Sequence, residues 1–482
     1  MSDAPAPHSR AALEARYGEN YRWWVLLTVM VGTMASIMAS TIINVAVPDL
    51  SHVFHLGQER AQWLSAGFMA AMTWSMLTTP WLLARFGYRR TYVGVVLLLL
   101  TGGLVGGCSP WFGLVLAMRV VEGLAAGVLQ PIPAIIVMRA FESHERGRAM
   151  GIFGFGVVLA PALGPSVGGV LVEWFGWRSI FFVVTPFCVA AVWLARRFLP
   201  LHGPGDVPAR SGAALDWRGL ALIAAALLAL LNGMVELHGP SKRLGWALLA
   251  LSVAALIAFV MYQRRARQPL MELRLFEHQA FSMGSVVAFI YGMGLFGSTY
   301  LVPVFMQLAL HLPPSQAGAV LLPAGLVLAG TIPIASRFVD RIPVNRLVAT
   351  GLLLLAASFL LMLTVGPATA LLWIALWTIV GRIGLGCVLP SLNLGAMRGL
   401  PDPYITHGAS TINFMRQLGG AVGISLVGIV LEWRLQAHAD DPVRGFHETF
   451  VLIGVLTGGA VIAALRMGSG GPATPPPKIA IP

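Results

Sequence analysis

Apolar runs of about twenty residues, broken by short polar loops, recur fourteen times along the chain. They cover 23–47, 61–84, 88–108, 111–138, 149–171, 177–199, 217–237, 244–262, 281–306, 316–336, 345–366, 370–397, 408–431 and 448–466. A helix needs ~20 mostly apolar residues to cross the hydrocarbon core of a bilayer, because each residue advances it by only ~1.5 Å. Hydrophobic residues make up 57% of the 482-residue chain and charged residues 11%, against ~25% charged in a soluble domain. Water cannot be the solvent for most of this surface, so the sequence predicts an all-α integral membrane protein with fourteen spans.

Cations set the expected orientation, since lysine and arginine favour loops on the cytoplasmic side. With the N-terminus inside, 23 of the 32 Lys and Arg residues fall on inner loops and tails, 6 on outer ones, and 3 within spans. An incorrect span count would scramble that alternation, so both termini are expected in the cytoplasm. The net charge of +12 is scattered between apolar runs and forms no basic stripe with interleaved aromatics, which excludes nucleic acid as the expected partner. Cys108, Cys188 and Cys387 lie within or beside apolar runs and imply no disulfide framework. Polar linkers divide the chain into an N-terminal tail (1–22), six spans (23–200), a linker with two further spans (201–279), six more spans (280–467) and a Gly/Pro-rich tail expected to be disordered (468–482). Two similar six-span halves with an added hairpin are the expected architecture.

Several motifs recur on the expected spans. The loop after span two, WLLARFGYRRTYV, carries Arg85, Gly87, Arg89 and Arg90, and the matching loop of the second half carries Asp340 and Arg341. Span one holds TIINVAVP, span four RVVEGLAAG, and span five GFGVVLAPALGPSVGG with Gly164, Pro165, Gly168 and Gly169. In this order the stretches resemble the signatures of the major facilitator superfamily, in particular its fourteen-span drug:proton antiporter branch of EmrB/QacA type. That resemblance implies the major facilitator fold, two six-helix bundles plus two extra helices in the cytoplasmic (inner) membrane. It also implies a multidrug efflux permease exporting small amphipathic compounds in exchange for protons. No cofactor is implied. For a host with an outer membrane it implies a periplasmic membrane-fusion adaptor and an outer-membrane channel. Two family aspartates are missing, at Ala39 in span one and Ala84 in the loop after span two. In span one, Thr33, Ser36, Ser40, Thr41 and Asn44 form a polar stripe instead.

Glycine costs ~1 kcal/mol and proline ~3 kcal/mol in the interior of a helix in water. In lipid, small residues let helix backbones approach one another, so the face of span five is expected to bend and pack closely against the other half. Ionisable groups deep in a bilayer are costly and mark function. Glu122 is the one carboxylate expected at that depth, with Arg119 three residues before it on the same helical face. Burial and a neighbouring guanidinium pull a carboxyl pKa in opposite directions. The pair therefore reads either as a proton site tuned by Arg119 or as a permanent ion pair. A central cavity between the halves would be lined by Asn44, Gln130, Phe289, Tyr291, Met293, Phe296, Tyr300, Asn393, Asn413, Arg416 and Gln417, with Arg416 demanding a partner. The chain has no G-x-x-x-x-G-K-[ST] loop, no H-E-x-x-H and no C-x-x-C, so neither ATP hydrolysis nor metalloenzyme chemistry is expected. The competing readings are a transporter dedicated to one metabolite, such as a fatty acid or siderophore, and a non-transporting membrane sensor or scaffold.

Overall fold

The computed structural model describes residues 10–55, 58–202, 214–237, 242–339 and 341–468, and every regular element in them is helical. The first group of elements comprises α1 (Arg10–Tyr17), α2 (Tyr21–Val53), α3 (Gln58–Ser75), α4 (Thr79–Cys108), α5 (Phe112–Leu129), α6 (Ile132–Ala140), α7 (Arg146–Phe175), α8 (Ser179–Phe182) and α9 (Thr185–Phe198). A hairpin of α10 (Trp217–Glu236) and α11 (Lys242–Gln263) follows. The last group is α12 (Gln279–Leu308), α13 (Pro314–Phe338), α14 (Val344–Leu361), α15 (Leu371–Ala396), α16 (Asp402–Ala437) and α17 (Pro442–Arg466). Among the described residues, twelve segments are long and apolar enough to cross a membrane.

Proline and glycine explain where runs that read as single spans are broken. The run 111–138 divides into α5 and α6 around Pro131 and Pro133, because proline removes a backbone donor and crowds the preceding turn. The run 177–199 divides into α8 and α9 just ahead of Pro186. The segment Trp63–Cys108 turns sharply at Gly87, whose φ of 76° and ψ of 176° belong to a region open essentially to glycine alone. There the backbone amides of Tyr88 and Arg89 donate to the carbonyls of His202 and Pro200, closing the turn against the end of α9. A β-carbon on Gly87 would stand 2.0 Å from the carbonyl oxygen of Leu201. Gly87→Ala is therefore expected to cost on the order of 1–3 kcal/mol in backbone strain alone, read as a lowered melting temperature of the purified protein.

Packing follows the two halves. In the first, α2 packs on α7 and α9, and α5 on α3 and α4; in the second, α12 packs on α16 and α17, and α14 on α15 and α17. The Tyr92 hydroxyl donates to the Thr28 carbonyl at 2.6 Å, pinning α4 to α2 beside Gly32. The hydroxyls of the polar stripe of α2 are satisfied within their own helix: Thr33 donates to Val29, Ser36 to Thr33, and Ser40 and Thr41 to Ile37. The α10–α11 hairpin bridges the halves through a buried cluster of Leu77, Ile223, Leu227, Phe259, Met271 and Phe414. The Trp74 indole, donating to Leu220, adds a second tie.

The glycine-rich helix α7 runs through Pro161 and Pro165 without a break. Gly151 and Gly154 face α13 of the other half, where added β-carbons would meet Ser336 at 2.7 Å and Ile332 at 2.5 Å. Gly156 and Gly168 face α2 of their own half, against Met30 and Ile42. The helix is therefore squeezed on two sides, and the small residues that cost stability in water are what permit both contacts. What surrounds Gly164, Pro165 and Gly169 lies outside the described residues, as does the side chain of Asn44.

Candidate functional site

Two polar centres lie at mid-depth of the bundle. The first is built by α5 and the glycines around it. Gly123 and Gly127 lie so close to α3 that β-carbons there would stand 2.3 Å from the Phe68 carbonyl and 2.1 Å from that of Met72. This approach brings the Phe68 ring to 4.3 Å from the Arg119 guanidinium and the Leu64 carbonyl within reach of its Nε. Arg119 Nη1 donates to Glu122 Oε2 at 2.7 Å, and both side chains are buried. On the far side, Gly102 and Gly103 of α4 make room for the carboxylate; a β-carbon at Gly102 would fall 2.7 Å from Glu122 Cγ. The acid thus sits inside the N-terminal bundle, against α4 and beside Arg119 of its own helix.

The second centre lies between the halves. Arg416 of α16 donates to Asn413 Oδ1 at 2.9 Å and to Gln130 Oε1, at the end of α5, at 3.3 Å. These three, with Asn393 of α15, wall a cavity of about 30 Å³ shared with Phe153, Gly154 and Val157 of α7 and Ile332 of α13. Gln417 reaches across to Met69 Sδ at 3.5 Å. Gln130 is eight residues beyond Glu122, about 12 Å along the helix at ~1.5 Å per residue and turned well round it, so the two centres are separate.

The candidates on α12 do not wall this cavity. Gly419, Gly420 and Gly423 let α16 lie directly on α12, and the seam absorbs the backbone at Phe289, the ring of Phe296 and the side chain of Met293. Tyr291 is buried with its hydroxyl donating to the Leu385 carbonyl. Tyr300 is 38% exposed. The α7 wall, Phe153 to Val157, was not among the expected lining residues although it begins the glycine-rich stretch. Its signal was there, in glycines at 154 and 156 beside an aromatic.

At one end of the bundle, the loop arginines are engaged with aromatics and helix ends. Arg85 lies 5.7 Å from the rings of both Trp81 and Phe86, Arg89 donates to the Ala195 carbonyl, and Arg90 is exposed. Arg139 donates to the Asp402 carbonyl of the other half. Arg146 caps the end of α6 through the Met138 and Phe141 carbonyls. Arg341 is exposed beside a cleft of about 680 Å³ that also involves Arg146 and Arg398. Asp340 lies outside the described residues.

Residues 29–424 match the model of the Major Facilitator Superfamily. The chain belongs to that superfamily. It is 31% identical over 447 residues to the multidrug resistance protein B homolog of Mycobacterium tuberculosis, covering 90% of this chain and 82% of that one. It is 28% identical over 419 residues to the tetracenomycin C resistance and export protein of Streptomyces glaucescens, covering 86% and 76%. The fold matches that of the proton:xylose symporter XylE with a TM-score of 0.65 at 14% identity, over 94% of this chain and 96% of that one. This superfamily member is thus a multi-pass membrane protein of a transporter family, and not an enzyme.

Proposed function

We propose that the protein is a proton-driven exporter of small amphipathic compounds, working by alternating access in the cytoplasmic membrane. It crosses that membrane fourteen times with both termini inside: the segment broken at Gly87 counts as two spans, and α7 is a further one. The observation that carries the reading is the Arg416–Gln130 hydrogen bond across a cavity of about 30 Å³. A drug-sized ligand needs ~300–1,000 Å³, so the halves must part to admit one. A single 3.3 Å contact between an amide and a guanidinium is easily broken and remade in each cycle. The export and resistance proteins among the relatives support the direction and the cargo class.

Proton coupling falls to Glu122. Protonating it would remove the charge that Arg119 holds at 2.7 Å and release a guanidinium buried among α3, α4 and α5. Those helices carry Gln130 and Met69 to the interface between the halves, which links the acid to the cavity without contact between them. The test is the susceptibility of a host strain with and without the gene. Expression is expected to raise the inhibitory concentration of at least one class of amphipathic antibiotic by roughly fourfold or more. An unchanged profile across all classes would remove the reading.

A further inference from the structure

The C-terminal half holds two arginines at bilayer depth, Arg382 on α15 and Arg416 on α16, and supplies no acid to neutralise them. Residues 278–339, 342–401 and 403–431 contain neither aspartate nor glutamate. Among the described residues, Arg416 donates to the neutral amide oxygens of Asn413 and Gln130. Among the described residues, no carboxylate lies within ion-pair distance of either arginine. Arg119, the third arginine at this depth, is treated differently: its carboxylate stands at 2.7 Å in the same helix. A fold that needed Arg416 only as a strut would have the same remedy available.

Tyr291 stands near both cations. Its hydroxyl, donating to Leu385, lies within electrostatic reach of both Arg382 and Arg416. Arg416 is half-buried because it faces the cavity, and the cavity wall opposite it is apolar, from Phe153 to Val157. A planar guanidinium beside an apolar wall matches a molecule with an anionic head and an apolar body.

We infer that the missing counter-charge arrives with the cargo: the cavity takes anionic amphiphiles, whose carboxylate, sulfonate or sulfate group is held by Arg416 with Arg382 nearby. Asn413 and Gln130 hold the guanidinium between cargoes. This inference rests on the export reading and narrows its substrate class.

The experiment uses the full chain in phosphatidylcholine proteoliposomes with an imposed pH gradient. Two dyes that share a xanthene ring, anionic fluorescein and cationic rhodamine 123, are quantified after lysis. The wild type is expected to accumulate fluorescein. Arg416→Gln is expected to lower that accumulation about tenfold or more, as when one partner of a charged contact is removed, while Arg416→Lys retains most of it. Arg382→Gln is expected to reduce it in the same direction. Rhodamine 123 accumulation, if present in the wild type, should be unchanged in the glutamine variants. Transport of rhodamine 123 alone overturns the anionic assignment and leaves export standing. Equal loss of both dyes in Arg416→Gln shows a structural arginine and overturns it as well. Accumulation of neither dye, in any lipid, overturns the export reading itself. Suppression of fluorescein uptake by added phosphatidylglycerol, in the wild type but not in Arg416→Lys or Arg416→Gln, assigns the anion site to a lipid headgroup instead of cargo.

Discussion

Glu122→Gln is expected to reduce proton-driven accumulation of cargo to the level of empty liposomes while leaving exchange of cargo across the membrane, without a gradient, in place. The amide keeps the shape of the carboxyl and can still accept from Arg119, but it cannot take up a proton. A residue that mattered only for structure would impair both modes together. Removing one member of a buried ion pair commonly costs ~3–5 kcal/mol, since the remaining charge is left unmatched. The double variant Arg119→Gln/Glu122→Gln avoids that cost. It is expected to be more thermally stable than Glu122→Gln, without restoring coupling. Coupled transport in either variant would show that the proton travels elsewhere.

Gly292→Ala carries the largest expected effect on the fold. A β-carbon at this position in α12 would stand 1.9 Å from the Arg416 carbonyl oxygen, 2.8 Å from its carbon and 3.0 Å from the Gly420 nitrogen. All three are backbone atoms, so no rotamer change relieves the clash, and α12 and α16 must move apart. Overpacking of this kind costs about 1–3 kcal/mol and occasionally more; three backbone atoms of α16 at such close range put Gly292→Ala at the upper end. The same displacement shifts Arg416 from Gln130, so thermal stability and cargo binding should fall together. Gly297→Ala is the control on the same helix. There the nearest atoms are the flexible side-chain ends of Ile453 at 3.3 Å and Val427 at 3.6 Å, and little change is expected.

The spans were legible because lipid imposes a length that short loops cannot disguise. The run 281–306 lies within α12 (Gln279–Leu308), and 345–366 begins within a residue of α14. The helices overrun the apolar core where polar residues can still be helical: α16 extends from Asp402 to Ala437 beyond the run 408–431. The breaks at Gln130 and Val183 follow from prolines that sit inside apolar runs, where hydropathy alone gives no sign of them.

The site was legible only where chemistry is local. Arg119 and Glu122 are three residues apart, and a helix brings them together by its own geometry. Arg416 and Gln130 are 286 residues apart, and no pattern in either helix names the other. The aromatics of α12 lie away from the cavity between the halves for a related reason. A helix that is apolar all round does not declare which face meets a neighbour. The deciding signal was on the partner helix, in the glycines at 419, 420 and 423 that draw α12 into a seam.

The measurement that most directly tests the central claim is cargo flux in proteoliposomes of the purified chain with and without an imposed pH gradient. Accumulation of an amphipathic dye against its concentration gradient, collapsing when a protonophore is added and when Glu122 is replaced by glutamine, is the predicted result. Accumulation that survives the protonophore, or its absence from every dye tested, would contradict a proton-driven carrier built around this acid and this cavity.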